Sequence, residues 1–319
     1  MNPADRTGER IDDLGDELDA DVLAAPAELA AAPPPPGLRE RLLARATGGG
    51  RGRVPAEPAT PAELYEARSR AMVALLGELT PEDWARPAAP YAWSVHELLA
   101  HLTVIEELTV RQFALGDEPP LPVGHPSAAD HLAMGADVIA ALAAAPPEVT
   151  VARWMAASAA VAAHVRSDRF DPAAAVPLHG WPFDAATALV ARSFEIWAHG
   201  DDIRRATGRP LDTPAPAELR TLAATSVLGL PLLLAVAGEG ATLTPTRVVL
   251  TGAGGATFDL GPSAAADPGP DGANLLVADV VEYCRLVARR VEPGALAGTR
   301  TGDGALLDAL LRAAQLIAV

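Results

Sequence analysis

The chain predicts an α+β protein, with a helical bundle first and a small α+β domain after it. Three observations predict this. Half of the residues are apolar but only 4% are aromatic, so alanine and leucine must fill the core, and alanine favours helix over strand. Up to about residue 238 apolar residues recur at helical spacing, and two of the segments open with capping boxes, Thr60-Pro61-Ala62-Glu63 and Ser94-Val95-His96-Glu97. After Gly240 the texture changes to short apolar runs broken by glycine. At 319 residues the chain is long for one core. We therefore expect a flexible extension over 1–57, a helical bundle over 58–238 and an α+β domain over 239–319.

The elements follow in order. Met1 to Asp21 is acidic and weakly patterned, Pro33-Pro34-Pro35-Pro36-Gly37 favours extended backbone, Leu38 to Arg45 has two turns of helical pattern, and the glycines from Gly48 to Gly52 read as a linker. Pro61 occupies the first position of the first helix. Thr80-Pro81-Glu82-Asp83-Trp84 reads as a turn or short helix. The helix begun at Ser94 should reach about Leu115. Beyond the proline-rich loop from Pro119 to Pro126, helices are expected near 127–144 and 148–167. A loop from Asp171 to Phe183 leads to a helix from Asp184 to Thr207, where Gly208 suits the C-terminal cap and Pro210 follows. Another helix should fill 215–237. Arg247 to Thr251 reads as a strand, Gly252 to Gly255 as a turn, and Ala256 to Leu260 as the returning partner. Helices near 278–290 and 304–317, with a short strand between them, complete the chain.

The totals exclude several functions. A net charge of −16 repels a nucleic-acid backbone and an anionic membrane surface, so neither is expected as a partner. All 25 basic residues are arginine, which rules out a Schiff-base lysine or a P-loop lysine. Cys284 is the only cysteine, so an intramolecular disulfide is impossible. The N-terminus lacks an apolar leader, and the longest apolar run, around Val227 to Ala237, is short for a bilayer and contains Pro231. A cytoplasmic protein is the expectation.

Chemistry concentrates at two helical segments, Trp93 to Leu102 and Arg192 to Ile203. Glu195 and His199 are four residues apart and share one helix face. With His101 from the other segment they make a His/Glu/His set, enough for a divalent metal with one open position. From Ala185 to Ala198 only Arg192 and Glu195 are charged, so the helix is buried nearly all round and its carboxylate needs a partner. That partner is either Arg192 one turn earlier or a metal shared with His199. Asp202 lies three residues beyond His199 and either orients a ligand or handles protons, unless it is simply a solvated acid. Glu97 is accounted for by its capping box. Trp93 reads as core packing beside the site. His96, His125, His131, His164 and His179 read as surface or loop residues, with His179 alone near the second ligand helix. Cys284 has no histidine nearby to activate it and reads as core. Gly252-Ala253-Gly254-Gly255 precedes a strand, not a helix, and is no dinucleotide fingerprint.

The stretch Trp93-Ser94-Val95-x-Glu97-Leu98-Leu99-Ala100-His101-Leu102 resembles the N-terminal signature of the mycothiol-dependent maleylpyruvate isomerase family, within the DinB-like superfamily. Glu195-Ile196-Trp197-Ala198-His199-x-x-Asp202-Ile203 is similar to that family's second signature, and the tail from Asp279 to Arg290, then Gly302-Asp303 and the last helix, resembles its C-terminal domain. The resemblance covers roughly residue 58 to the end. It implies a DinB-like four-helix bundle whose metal, usually zinc, is held by His101, Glu195 and His199, and a sterol-carrier-like C-terminal domain closing over it. It also implies mycothiol, a low-molecular-weight thiol, as cofactor. The substrate would be a small electrophile such as an unsaturated acid, with Arg285 the candidate cation for it. The expected chemistry is thiol addition, seen as cis–trans isomerisation or as thiol transfer. The extra segment 1–57 departs from the family. Its stretch from Leu29 to Ala46 resembles part of some anti-sigma factors, without their cysteine/histidine motif. This keeps a second expectation open, a non-catalytic metal-binding regulator that docks a protein partner through 1–57.

Overall fold

The computed structural model describes residues 57–90, 92–113, 115, 128–178, 181–237, 241–261 and 274–317. The expectations for the extension up to residue 56, for the loop from Pro119 to Pro126, and for His125 and His179 lie outside the described residues, as does the side chain of His131. Within these bounds the fold is mixed α and β, as the composition and patterning predict.

Helix α1 (Pro61–Gly77) starts at the first capping box. Thr60 Oγ1 accepts from the Glu63 N–H at 3.2 Å, and Glu63 accepts from the Thr60 N–H at 2.8 Å. A 3-10 turn at Asp83–Ala85 follows. Strands β1 (Pro87–Ala88) and β2 (Trp93–Ser94) form a short antiparallel ribbon. Helix α2 (Val95–Gln112) begins at the second capping box and stops three residues before the predicted end. Helices α3 (Ala128–Ala143) and α4 (Pro147–Val165) lie where the apolar spacing puts them. The predicted loop after Asp171 contains a hairpin, β3 (Ala175–Leu178) with β4 (Trp181–Asp184). Asp184 ends that hairpin and caps α5 (Ala185–Thr207), accepting from the Thr187 N–H at 2.7 Å. Gly208 ends α5 with φ 70, a left-handed conformation that costs a glycine little.

Helix α6 (Pro216–Ala237) leads to the sheet, whose strands are β5 (Thr246–Thr251), β6 (Thr257–Leu260), β7 (Asn274–Asp279) and β8 (Gly298–Thr301). Their order is β6-β5-β7-β8, with β5 and β7 parallel and the outer pairs antiparallel. Helix α7 (Val280–Val287) follows β7 directly, and α8 (Gly304–Ala314) closes the chain. Strand β7 corrects the sequence reading, which began a helix at 278. Its run Asn274-Leu275-Leu276-Val277-Ala278 alternates buried and half-buried residues, a period of two that the adjoining helix pattern hides.

Two cores organise these elements. One is built from α1, α2, α4 and α5, with Tyr65, Leu98, Leu99, Leu102, Trp154 and Leu189 wholly buried. The other joins the far face of α5 and one face of α6 to the sheet, α7 and α8, through Phe194, Trp197, Leu222, Val248 and Tyr283. Residues 53–319 accordingly form one compact unit. By length and composition α6 is apolar enough to cross a bilayer, but half of it is buried in this core. Helices α1 and α5 both place well-buried residues in each of the two large cores, and α5 carries two of the three candidate ligands.

Candidate metal centre

The capping box of α2 fixes where His101 falls. Leu98, Leu99 and Leu102 anchor one face, and His101, 4% exposed, projects beside them toward α5. On α5 the spacing of four sets Glu195 and His199 on one face. Candidate ligand atoms of His101, Glu195 and His199 all lie within 4.8 Å of one another. His101 Nε2 is 3.4 Å from Glu195 Oε1, and the two imidazoles meet edge to face with centroids 5.4 Å apart. The Trp93 ring lies 5.1 Å from the His101 ring. Two imidazoles and one carboxylate, converging from two rigid helices, are a donor set that suits zinc or a similar divalent ion.

Of the two partners the sequence offers for Glu195, Arg192 lies beside it, and His101 is a second neighbour. Arg192 Nη1 donates to Glu195 Oε2, while Oε1 faces His101. Burial pushes the Glu195 carboxyl up, but Arg192, aided by His101 and His199, outweighs it and holds the group at about 2. Glu195 is therefore an anion throughout the neutral range. Burial pushes His199 down, favouring the neutral imidazole that can ligate. Its Nδ1 lies 3.1 Å from Asp202 Oδ2. A carboxylate only accepts, so a hydrogen on Nδ1 satisfies this nearer contact and leaves Nε2 a lone pair, while Arg290 Nη2 lies 3.3 Å from the same Nδ1.

Asp202 is 2% exposed. Burial raises its carboxyl, but the bonds to His199 and Arg290 more than reverse this. Arg290 Nε donates to Asp202 Oδ1 at 2.8 Å and Nη2 donates to Oδ2. Arg285, the arginine singled out from the sequence, sits one helical turn away. It bonds Glu282 at 2.8 Å and approaches Asp201 at 3.5 Å. The arginine hydrogen-bonded within the His199–Asp202 pair is Arg290. It lies just past the end of α7, where Arg289 turns the chain with φ 58 and the Arg290 N–H donates to Arg285 O at 2.8 Å. No periodicity marks such a position, which is why sequence reasoning passed over it.

Glu106 was also missed. It is wholly buried, accepts from the Tyr65 hydroxyl, and has Oε2 3.2 Å from Arg192 Nε. Tyr65 also reaches Ser158 Oγ at 3.2 Å. A signal did exist: Glu106 follows Leu99 by seven residues and Leu102 by four, a lone acid on the apolar stripe of α2. Burial pushes its carboxyl up, against the pull of Arg192 and Tyr65.

Of the remaining candidates, His96 corrects the expectation of a surface residue. It is 8% exposed and hydrogen-bonds Thr150 Oγ1 at 2.9 Å. His164 is half-buried against Phe113 and Phe170. Glu97 makes the capping bonds that account for it, 2.7 Å from the Ser94 N–H. Cys284 is fully buried, and burial pushes its thiol well above the usual range.

Two curated relatives, each an uncharacterized protein of Mycobacterium tuberculosis (strains CDC 1551 and H37Rv), are 27% identical over 231 residues, covering 70% of this chain and 82% of theirs. Crystal structures titled mycothiol-dependent maleylpyruvate isomerase, and a histidine-to-alanine mutant of it, superpose with a TM-score of 0.50 at 17% identity. They cover 76% and 75% of this chain and 91% of theirs, which establishes the shared fold. Residues 65–204, a stretch that contains all three candidate ligands, match the family model described as the mycothiol maleylpyruvate isomerase N-terminal domain.

Proposed function

We propose that the protein is a mycothiol-dependent enzyme that uses a divalent metal, zinc by its donor set, to add the thiol to a small electrophile. The observation that carries this reading is the convergence of His101, Glu195 and His199 within 4.8 Å, inside the stretch that matches the family. Cis–trans isomerisation of an unsaturated acid is the form of the chemistry that the similar solved structures favour, and thiol transfer is its variant on a substrate with a leaving group.

A metal ion held there would supply a Lewis acid able to keep a thiol ionised at neutral pH. Mycothiol would supply the sulfur, which this chain does not offer, since Cys284 is buried away from solvent. The chain's own residues do the positioning. Arg192 holds one oxygen of Glu195 and leaves the other facing His101. Asp202 fixes the ring of His199 and keeps the proton on Nδ1. Arg290 in turn fixes Asp202 with two hydrogen bonds from the C-terminal segment. With both oxygens engaged, Asp202 is better placed to orient His199 than to carry protons. Arg285 and Arg290 are the cations that the C-terminal segment brings toward α5, and each faces an acid there, Asp201 and Asp202. Trp93 and the apolar faces of α2 and α5 exclude water from the trio.

The test is metal content and thiol chemistry in parallel. Protein purified without added metal should hold about one equivalent of a divalent ion by elemental analysis. His199→Ala should lose the ion and all turnover of mycothiol with unsaturated acids while keeping its helical circular dichroism. Undiminished metal in that variant would reject the ligand assignment. Metal binding without any thiol reaction would leave a binding protein instead of an enzyme.

A further inference from the structure

The candidate ligand Glu195 is the end of a buried charge chain that continues away from the site. Arg192, with its side chain 3% exposed, stands between Glu195 and Glu106. Glu106 is 0% exposed and is held by the Tyr65 hydroxyl, which also bonds Ser158. The order is therefore Tyr65, Glu106, Arg192, Glu195, drawn from α1, α2 and α5. A guanidinium beside a ligand carboxylate poses a difficulty for a metal site, because its charge cancels the anion that the cation needs. A second buried carboxylate on the other side of the guanidinium removes the difficulty. With Glu106 and Arg192 balanced against each other, the full negative charge of Glu195 is left for a cation.

We propose that Glu106 and Arg192 are positioning residues of the metal centre. Arg192 ties down Oε2 of Glu195 so that Oε1 alone faces His101, and Glu106 neutralises Arg192 so that the tether does not weaken cation binding. This inference rests on the metal reading above. It differs from a purely structural role for the pair, in which either residue matters for stability and the balance of charge does not matter for ligand affinity. Partners outside a metal's own ligands typically change affinity by about 10–100-fold when removed, and that is the effect expected here.

The experiment is a zinc titration of the metal-stripped full chain in competition with a chromophoric chelator, with circular dichroism and melting recorded for every variant. Glu106→Gln keeps the shape of the side chain and removes its charge, and should raise the zinc Kd by about 10–100-fold. Removing the opposing charge as well, in Glu106→Gln/Arg192→Met, should restore part of that affinity, a rescue that a merely structural pair would not give. Glu106→Asp keeps the charge and should stay closer to the wild type than Glu106→Gln. Wild-type affinity in Glu106→Gln overturns the proposal, since it is the result expected if Glu106 is neutral in the folded protein. A double variant that binds no better than Glu106→Gln overturns it too. If Glu106→Gln does not fold, the folded Glu106→Asp variant decides, and loss of zinc binding there counts against the proposal. Wild-type protein and His199→Ala separate this inference from the reading beneath it. If the wild type takes no zinc, or His199→Ala takes as much, the metal centre itself is rejected. If both behave as expected and Glu106→Gln is silent, only the charge-balance inference falls.

Discussion

Replacing Arg290 with methionine tests how the C-terminal segment is tied to the ligand helix. Asp202 is 2% exposed, and Arg290 supplies two of its hydrogen bonds. What remains after the substitution is His199 Nδ1 at 3.1 Å and Arg205 at 3.4 Å, the latter with a side chain 40% exposed and screened by water. Removing one partner of a buried pair typically costs about 3–5 kcal/mol, because a charge is left behind without compensation. The two remaining neighbours recover part of that, so about 3 kcal/mol is expected. At roughly 2 °C per kcal/mol for a unit of this size, the melting temperature should fall by about 6 °C. Arg285→Met is the internal comparison. Asp201 keeps the Asp212 N–H at 2.9 Å, and the other partner of Arg285, Glu282, is 43% exposed. That loss should be about 1 kcal/mol or less, near 2 °C. The assay is thermal unfolding followed by circular dichroism in excess chelator, so that metal binding to the native state does not add stability. Asp202→Asn combined with Arg290→Met should cost less than the sum of the single changes, since no unpaired charge is left. An Arg290→Met melt within about 1 °C of the wild type, or a larger loss in Arg285→Met, would refute the reasoning.

Three further outcomes are expected. Glu97→Ala should cost about 0.3–1.5 kcal/mol at neutral pH. The hydrogen bonds from the Ser94 backbone and hydroxyl hold the Glu97 carboxyl below its ordinary value. Its contribution is therefore present above the unfolded pKa of about 4.3 and is lost as the pH falls through the lower folded value. The difference in melting temperature between wild type and variant should accordingly close on acidification below about pH 4, and a gap that widens there would contradict the capping role. Cys284 should resist an aromatic disulfide reagent in the native protein and react only on unfolding, and Cys284→Ser should leave any thiol-dependent turnover unchanged. Stoichiometric labelling of the folded chain would sink that expectation. Gly208→Ala should destabilise by about 1 kcal/mol, because φ 70 brings a side chain's Cβ against the following carbonyl; chemical denaturation reads this directly, and an unchanged midpoint would count against it.

The helical half of this protein is legible in its sequence. Capping boxes, proline at a first helical position and a terminal glycine are local signals, since each satisfies or supplies groups only a few residues away. They placed α1, α2 and α5 within about three residues. The spacing of four between Glu195 and His199 is local in the same sense, and so is the near absence of other charges around Glu195. The strands were harder. Hairpin β5–β6 declared itself through its glycine turn, whereas β7 abuts α7 directly and pairs in parallel with β5 across 22 intervening residues. Nothing local records such a pairing.

Residue order alone gives the class of the protein and the course of the long helices, and it singles out His101, Glu195 and His199 as candidate ligands. Their partners follow from packing between elements distant in the chain. Arg290 rather than Arg285 meets Asp202 because a left-handed residue at Arg289 redirects the backbone just past α7. Glu106 meets Arg192 because α2 and α5 bury two charged residues against each other. Helix periodicity is written in residue order. The pairing of charges between helices depends on how whole elements pack, and a buried charge has to find its counter-charge wherever the fold brings one near.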